Sequence, residues 1–458
     1  DLPIGGGRKR RDGSNMYTQA RPALVRDRVR WVGDYVAFVV AESPNQAKDA
    51  AEAVEVDYEP LPAITSTEDA PKPGAPLVWD DCPNNICFVH EGGNKAAVDA
   101  AFATAKHVVK ERFVINRVTA ASMEPRGCVG HYDRFEDRYT VYTTLQGVHP
   151  YRATLASRIL KVPESKVRVV AGDIGGSFGM KSAVYNEVAL VLLGSKLTGR
   201  PVKWTSTRSE AFVSDAQARD NVTEAELALD KDGHFLGFRV KTIANLGAYL
   251  QMNSNVFVGN LGTLAGVYRT PAIHADVTAV FTHTNPVRPY RGNGRPEAAY
   301  VIERIVDCAA KEGGLDPLEL RSRNIIPPEA MPFKSGLTFT YDCGEFATTL
   351  AKAERAADIA GFPARRDEAK KRRKLRGLGL SNTIERAAAP GFEAAEVRFD
   401  SSGTVTLLSG SITQGQGHET IYKQILCDRL GIKPDQVHYV QGDTDKVEIG
   451  RATWRERV

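Results

Sequence analysis

Three glycine-rich stretches, far apart in the chain, constrain its fold more than any other feature. They are Gly175–Gly179, Pro289–Tyr300 and Gln414–Thr420, and each leads into a segment with a helical pattern. Glycines let the backbone approach a bulky ligand closely, and the N–H groups at a helix N-terminus favour an anion. Each stretch is therefore a candidate ligand-binding loop, although a tight turn between two elements would also explain it.

Short strands and helices alternate along the chain without an internal repeat, which predicts an α+β (mixed α/β) protein. The 458 residues are enough for about three domains, each with its own core. Near the start, β-branched and aromatic runs predict strands at Val36–Ala41 and Val54–Tyr58, on either side of an alanine-rich helix at Ala47–Val54. Further strand and helix patterns flank the glycine-rich stretches.

The composition argues against several classes of protein. The 60 basic and 56 acidic side chains leave a net charge of +4, which is too mild to indicate a nucleic-acid partner. The basic run Lys370–Lys374 lacks interleaved aromatic residues and is typical of a solvated face. No apolar run is long enough to span a membrane, and no secretory signal is visible. The six cysteines contain no C-x-x-C pair, which argues against zinc and iron–sulfur sites. Six scattered thiols in a chain of this length favour a reducing, cytoplasmic location.

The first glycine-rich stretch lies in Val167–Ser182, VRVVAGDIGGSFGMKS. It predicts a buried strand, a glycine turn and then a helix, an arrangement that suits an anion. It nearly matches a phosphate-binding P-loop, which would place Lys181 and Ser182 on the phosphate and its magnesium ion, but Met180 stands where that motif needs glycine.

The second stretch, PYRGNGRPEAAY, places Arg291 and Arg295 around two glycines. An arginine held there offers a fixed fork of donors to an oxyanion. A glycine turn whose arginines pair with surface acids is the alternative.

The third stretch, QGQGHET, alternates hydrogen-bonding side chains with glycines just before a helix, which suits a phosphate or pyrophosphate. His418 and Glu419 could ligate a metal, but no second histidine lies one helical turn on. Elsewhere, Gln146 and His149 follow a predicted strand, a position from which side chains often reach a cleft.

Taken in order, these stretches resemble the molybdenum-binding large subunits of the xanthine dehydrogenase, aldehyde oxidase and carbon monoxide dehydrogenase family. Val32–Pro62 resembles the end of that family's hammerhead domain, and Met123–Gly127, MEPRG, resembles its next signature. Gly175–Lys181, Tyr290–Glu297 and Gln414–Thr420 follow in the family's order and at similar spacing. The resemblance runs from about residue 22 to residue 449.

The resemblance implies a partial hammerhead domain in residues 1–64, a linker in 65–92, a first cofactor-binding domain in 93–330 and a second, truncated one in 331–458. It also implies a molybdenum–molybdopterin cofactor, usually in the cytosine dinucleotide form, whose metal is held by its own dithiolene sulfurs. FAD and 2Fe–2S clusters would be carried only by partner subunits, with which the intact protein would form a dimer of heterotrimers.

The resemblance further implies roles for individual residues. Gln146 would hydrogen-bond the oxo group at the molybdenum, and Arg291 would stabilise negative charge developing on the substrate. Phe178 would also form a wall of the substrate pocket. The implied reaction is hydroxylation of an aldehyde or N-heterocycle with water as the oxygen donor. The residues implied to cradle the cofactor are Gly175, Gly176, Ser177, Phe178, Gly179, Gln414, Gly415, Gln416, Gly417, His418, Glu419 and Thr420.

Two departures from the family pattern bear on the substrate. Carbon monoxide dehydrogenases carry a cysteine after the loop arginine, where this chain has Gly292. Purine-oxidising members carry a glutamate directly after the GGxFGxK stretch, where this chain has Ser182. Both departures disfavour those substrates and leave aldehydes and N-heterocycles.

The chain also departs from the family at its ends. It lacks the first half of the hammerhead, and the family's catalytic glutamate, the base, would follow residue 458. We therefore expect a fragment that is inactive alone. A non-catalytic paralogue or accessory binding protein with the same fold is the alternative function.

Overall fold

The computed structural model describes residues 1–4, 7–251, 261–385 and 393–448. The described residues form a mixed α/β structure, as the sequence predicts. The helices are α1 Pro44–Glu52, α2 Lys95–Thr104, α3 Val148–Thr154, α4 Asn186–Thr198, α5 Arg208–Ser214, α6 Arg295–Glu312, α7 Pro317–Asn324, α8 Phe346–Ala357, α9 Phe362–Lys371 and α10 His418–Leu430.

The strands build four sheets. They are β1 Ile86–Gly93, β2 His107–Ile115, β3 Gly127–Asp133, β4 Arg138–Thr143, β5 Val167–Val170, β6 Val202–Thr205, β7 Asn221–Leu229, β8 Phe235–Asn245, β9 Ala272–Val280, β10 Phe333–Lys334, β11 Thr340–Tyr341, β12 Ala395–Phe399, β13 Val405–Ser409 and β14 Val437–Gln441. Their orders are β1-β9-β8-β7-β2, β5-β4-β3-β6, β12-β13-β14 and β10-β11. The three larger sheets are mixed, because β8 and β9, β4 and β5, and β13 and β14 pair in parallel.

Helix α6 shows why the largest sheet is covered on one face. Its apolar side chains recur every three or four residues, so one stripe can be buried against the sheet. The buried positions include Val301, Ile302, Ile305 and Val306, which belong to the same hydrophobic core as the five-stranded sheet.

A second core lies between the four-stranded sheet and helices α3 and α4, and it contains Val188, Val191 and Leu192. Ile412, which follows β13 of the three-stranded sheet, is fully buried in this same core. The unit that carries the third glycine-rich stretch is thus packed directly against the unit that carries the first.

The two predicted strands near the start are wrong. Residues 36–41 and 54–58 form no backbone ladder within the described residues, and Val36, Val40, Val54 and Val56 are exposed. A β-branched run becomes a strand only where a neighbour supplies hydrogen-bond partners for its backbone. The helix between them is confirmed as α1, which begins after the N-cap Ser43.

All of strand β1 except its last residue, Gly93, lies inside the segment predicted as a linker, residues 65–92. It pairs antiparallel with β9 at the edge of the five-stranded sheet. Burial of Phe88 in the core of that sheet accounts for the pairing, so the sheet begins earlier in the chain than the sequence pattern indicates.

Candidate functional site

The loop Gly175–Gly179, called the glycine loop below, follows β5 and needs glycine for two physical reasons. The backbone is left-handed at Gly176, Phe178 and Gly179, with φ of +94°, +56° and +98°. A Cβ on Gly179 would lie 2.6 Å from the carbonyl oxygen of Pro289. Left-handed backbone is uncommon for an aromatic residue, so Phe178 is held in an unfavourable conformation by its surroundings.

The second glycine-rich stretch touches the first. The N–H of Arg291 donates to the carbonyl oxygen of Phe178 at 2.9 Å. The guanidinium of Arg219 donates to the carbonyl oxygen of Arg291 at 2.9 Å and forms an ion pair with the buried Glu297 at 2.8 Å. The structure therefore brings Arg291, itself exposed, to the edge of the glycine loop.

The third stretch reaches the start of the same loop. The N–H of Ile174 donates to the carbonyl oxygen of Thr413 at 3.4 Å. The side chain of Gln441 accepts from the N–H of Thr413 and donates to Asp173, both at 2.9 Å. The N–H of Ala171 also donates to the carbonyl oxygen of Gly442 at 2.7 Å. The glycine loop is thus flanked by the second stretch on one side and by the third on the other.

Gln146 is joined to the glycine loop by a ring of three hydrogen bonds. Its N–H donates to the carbonyl oxygen of Lys181 at 3.1 Å, and the N–H of Lys181 donates to the hydroxyl of Ser177 at 3.3 Å. The Ser177 hydroxyl then donates to Oε1 of Gln146 at 2.9 Å. The ring fixes the amide oxygen of Gln146 against the protein.

Lys181 and Glu124 form an ion pair beneath the glycine loop. Nζ of Lys181 lies 2.9 Å from the carbonyl oxygen and 3.0 Å from Oε2 of Glu124, and the same Oε2 accepts from the N–H of Gly175 at 2.9 Å. The Lys181 side chain is fully buried, and this burial lowers its pKa, although the hydrogen bond that it donates to Glu124 opposes the effect. Sequence reasoning gave neither residue this role, because their contact joins positions 57 residues apart.

Arg126, from the same MEPRG signature, is buried beside this pair. Its guanidinium donates to Asp215 and Ser214, both at 2.6 Å, and to Glu187, and it lies over the ring of Tyr185 at 3.9 Å. All of its partners are side chains of the protein, so Arg126 supports the site from below.

The loop Gln414–Thr420 combines open space with an unusual buried amide. Gly415 and Gly417 are left-handed, and a Cβ on either would meet nothing within 4 Å. Gln414 is only 8% exposed, yet neither Oε1 nor Nε2 of its side chain has a hydrogen-bond partner within the described residues. A buried amide without a partner is costly, so this group is suited to a ligand.

The other side chains of this loop either make contacts within the protein or lie exposed at its surface. Oε1 of Gln416 accepts from the N–H of Gln414, which folds the loop back on itself. His418 is buried at the first position of α10, and burial lowers its pKa. Glu419 forms an exposed ion pair with Lys423 at 2.7 Å. Thr420 is exposed, and no metal-ligand cluster of three or more His, Cys, Asp or Glu side chains occurs in the described ranges.

The three glycine-rich loops thus lie side by side on a mixed α/β frame. A "Molybdopterin cofactor-binding domain" matches residues 78–325, a second domain of this description matches 352–454, and an "Aldehyde oxidase and xanthine dehydrogenase, a/b hammerhead domain" matches 5–62. The chain belongs to the family of molybdenum-binding large subunits of xanthine dehydrogenase, aldehyde oxidase and carbon monoxide dehydrogenase.

Individual relatives are similar over nearly the whole chain. It is 35% identical to the carbon monoxide dehydrogenase large chain of Hydrogenophaga pseudoflava, over 95% of this chain and 58% of that one. It is 34% identical to the 6-hydroxypseudooxynicotine dehydrogenase complex subunit gamma of Paenarthrobacter nicotinovorans, over 97% of this chain and 56% of that one. Quinoline 2-oxidoreductase from Pseudomonas putida 86 superposes with a TM-score of 0.89 at 32% identity, over 99% of this chain and 58% of that one.

The chain therefore spans a little more than half the length of these relatives. The predicted family and fold class are confirmed, whereas the roles of the site residues and the domain boundaries at 64, 92 and 330 stay predictions. None of the helices within the described ranges is both long and apolar enough to cross a membrane.

Proposed function

We propose that this chain forms the cofactor-binding part of a molybdenum hydroxylase large subunit, which hydroxylates an aldehyde or an N-heterocycle with water as the oxygen donor. Homologues are molybdenum-dependent oxidoreductases. The observation that carries the proposal is Gln414, a buried amide without a partner, in a loop that adjoins the glycine loop.

The residues present fit a molybdopterin cofactor. Gln414 would use its amide on the cofactor, and Gly415 and Gly417 leave the adjoining space open. In the glycine loop, the N–H groups of Gly175 and Gly176 donate within the protein, to Glu124 and to the carbonyl oxygen of Ile174. These two glycines would therefore give the cradle its shape, and residues 177–179 would provide its contacts. The bound cofactor would supply Lewis-acid activation of water and a two-electron acceptor.

The protein's own residues would orient the reacting groups. Gln146 would hydrogen-bond the oxo group at the molybdenum, and the Ser177 hydroxyl, which donates to its amide oxygen, would hold the side chain in one orientation. Arg291, anchored by its backbone to Phe178, would stabilise negative charge that develops on the substrate. A preorganised donor of this kind is typically worth roughly 2.7–4 kcal/mol of the barrier.

Gly292 argues against carbon monoxide as the substrate, although carbon monoxide dehydrogenase chains are among the relatives. Its φ is +95°, and a Cβ at this position would lie 2.5 Å from the ring of Pro296. A cysteine could not be placed there without moving the backbone. Ser182 likewise replaces the glutamate of purine-oxidising members, which leaves aldehydes and N-heterocycles as the substrate class.

The proposal extends to partners. Iron–sulfur and FAD subunits would receive the two electrons, the cofactor would be the cytosine dinucleotide form, and the assembly would be a dimer of heterotrimers. The names of two relatives, a large chain and a complex subunit, support the presence of partner subunits.

The test compares two buried amides in the full-length protein. Gln414→Leu should lower the molybdenum and pterin content of the purified protein, while the cofactor-free form is unchanged or about 1 kcal/mol more stable. The control is Asn85→Leu, because Asn85 is fully buried and makes three hydrogen bonds of 2.8–3.0 Å. That control should lose stability whether or not the cofactor is present.

Three results would count against the proposal. A wild-type protein that contains neither molybdenum nor pterin would overturn it, and so would full cofactor content in Gln414→Leu. Normal cofactor content without turnover of any aldehyde or N-heterocycle would instead indicate a non-catalytic binding protein.

A further inference from the structure

We propose that Glu124 and Lys181 form a clamp that positions the glycine loop and, through Ser177, the side chain of Gln146. Both are positioning residues, since neither touches the reacting atoms. The inference rests on the proposed function, because Gln146 is taken to face the cofactor.

The clamp is held by one carboxylate oxygen. Oε2 of Glu124 accepts from the loop amide of Gly175 at 2.9 Å and from Nζ of Lys181 at 3.0 Å. A Cβ on Gly175 would lie 2.5 Å from the Cβ of Glu124, so any larger residue would push the carboxylate away. Gly175, at the start of the loop, and Lys181, two residues beyond its end, are therefore bound to the same side chain.

The buried charge of Lys181 depends more on its partner than the partly exposed charge of Glu124 does. The Lys181 side chain is completely buried, whereas that of Glu124 is 35% exposed. The described ranges contain no other carboxylate in hydrogen-bond contact with Nζ of Lys181, since the nearby Asp215 is bonded to Arg126. Removing the charge of Glu124 therefore strands a buried cation, whereas removing Lys181 leaves a carboxylate that water can reach.

Lys181 passes this constraint to Gln146 through its own backbone. Its carbonyl oxygen accepts from the N–H of Gln146, and its N–H donates to Ser177, whose hydroxyl holds Oε1 of Gln146. If the lysine moves, the backbone bond of Gln146 is lost directly, and the bond at its side chain is weakened through Ser177. The clamp thus fixes the position of the Gln146 side chain relative to the glycine loop.

The first measurement is hydrogen exchange in the full-length protein at the amides of Gly175 and Gln146. Glu124→Gln keeps the size of the side chain and removes its charge, and exchange at both amides should become about tenfold faster. In a Lys181→Met background the same substitution should change exchange little, because no buried charge remains. The control is Asp69→Asn, which breaks an exposed ion pair with Lys72 and should leave both amides unchanged.

The second measurement is the ligand environment of the molybdenum by X-ray absorption or electron paramagnetic resonance. Glu124→Gln should alter this signature at equal metal content, which a merely structural residue would not do. Equal acceleration in both backgrounds, unchanged exchange, or acceleration spread over the whole chain would overturn the clamp. A wild-type protein without molybdenum would overturn the proposed function only, since the exchange measurement needs no cofactor.

Discussion

The close contact between the glycine loop and the second glycine-rich stretch can be tested with a matched pair of glycines. Gly179 and Gly415 have similar backbone conformations, with φ of +98° and +109°. They differ in their surroundings, because a Cβ on Gly179 would lie 2.6 Å from the Pro289 oxygen, whereas a Cβ on Gly415 would meet nothing within 4 Å. Substitution by alanine therefore separates conformational strain from steric displacement.

Both variants should lose about 1–3 kcal/mol from a left-handed alanine. Gly179→Ala should lose roughly 0.5–1.5 kcal/mol more, because displacing Pro289 breaks the hydrogen bond from Arg291 to Phe178. For a domain of roughly 150–250 residues, each kcal/mol of lost stability corresponds to about 2–4 °C in Tm. Thermal unfolding and hydrogen exchange at the Arg291 amide measure the two effects, and exchange should rise only in Gly179→Ala.

The reasoning fails if both variants lose the same stability and leave the Arg291 amide equally protected. Such a result would mean that the two stretches move independently, and that their proximity does not depend on glycine at position 179.

Two further predictions concern charged pairs. Arg126→Met should lower the free energy of unfolding by about 3–5 kcal/mol in chemical denaturation, because it leaves two buried carboxylates unpaired. Arg28→Met, which breaks an exposed pair, should lower it by under about 1 kcal/mol. Equal losses would contradict the structural role given to Arg126. The hydrogen bond from Arg168 lowers the pKa of Asp443 below its ordinary 3.8, although burial of Asp443 opposes this shift. The pair therefore stabilises the fold above pH 3.8, and its contribution is lost as the pH falls further. Arg168→Met should therefore be less stable than the parent near neutral pH but not well below pH 3.8, and a deficit that persists in acid would refute this reading.

Much of the fold follows from local pattern, and the exceptions have physical causes. Helices such as α6 were predictable because their apolar residues recur with the helical period. Strand β3 was not, because its sequence contains two glycines that a pattern interprets as turn. The structure shows that a Cβ on Gly130 would lie 2.8 Å from the backbone of Val191, so the glycine admits helix α4. Tertiary packing, not propensity, makes this segment a strand.

The candidate site, like the fold, could be predicted from the sequence only in part. Glycine spacing and family resemblance were enough to select the three loops, and the structure brings them side by side. The Glu124–Lys181 pair and the link from Ser177 to Gln146 could not be predicted, because they join residues distant in the chain through side-chain direction. No periodicity in the sequence records such contacts.

The seam between the two cofactor-binding units limits how independently these units can move. Ile412 is buried in the core of the neighbouring unit, and backbone hydrogen bonds cross the seam at Ala171 and Val169. Parting the units would expose an apolar side chain to water and break these bonds at once. The two units would therefore separate only through a costly local opening, so the relative position of their loops would be fixed on the timescale of local unfolding.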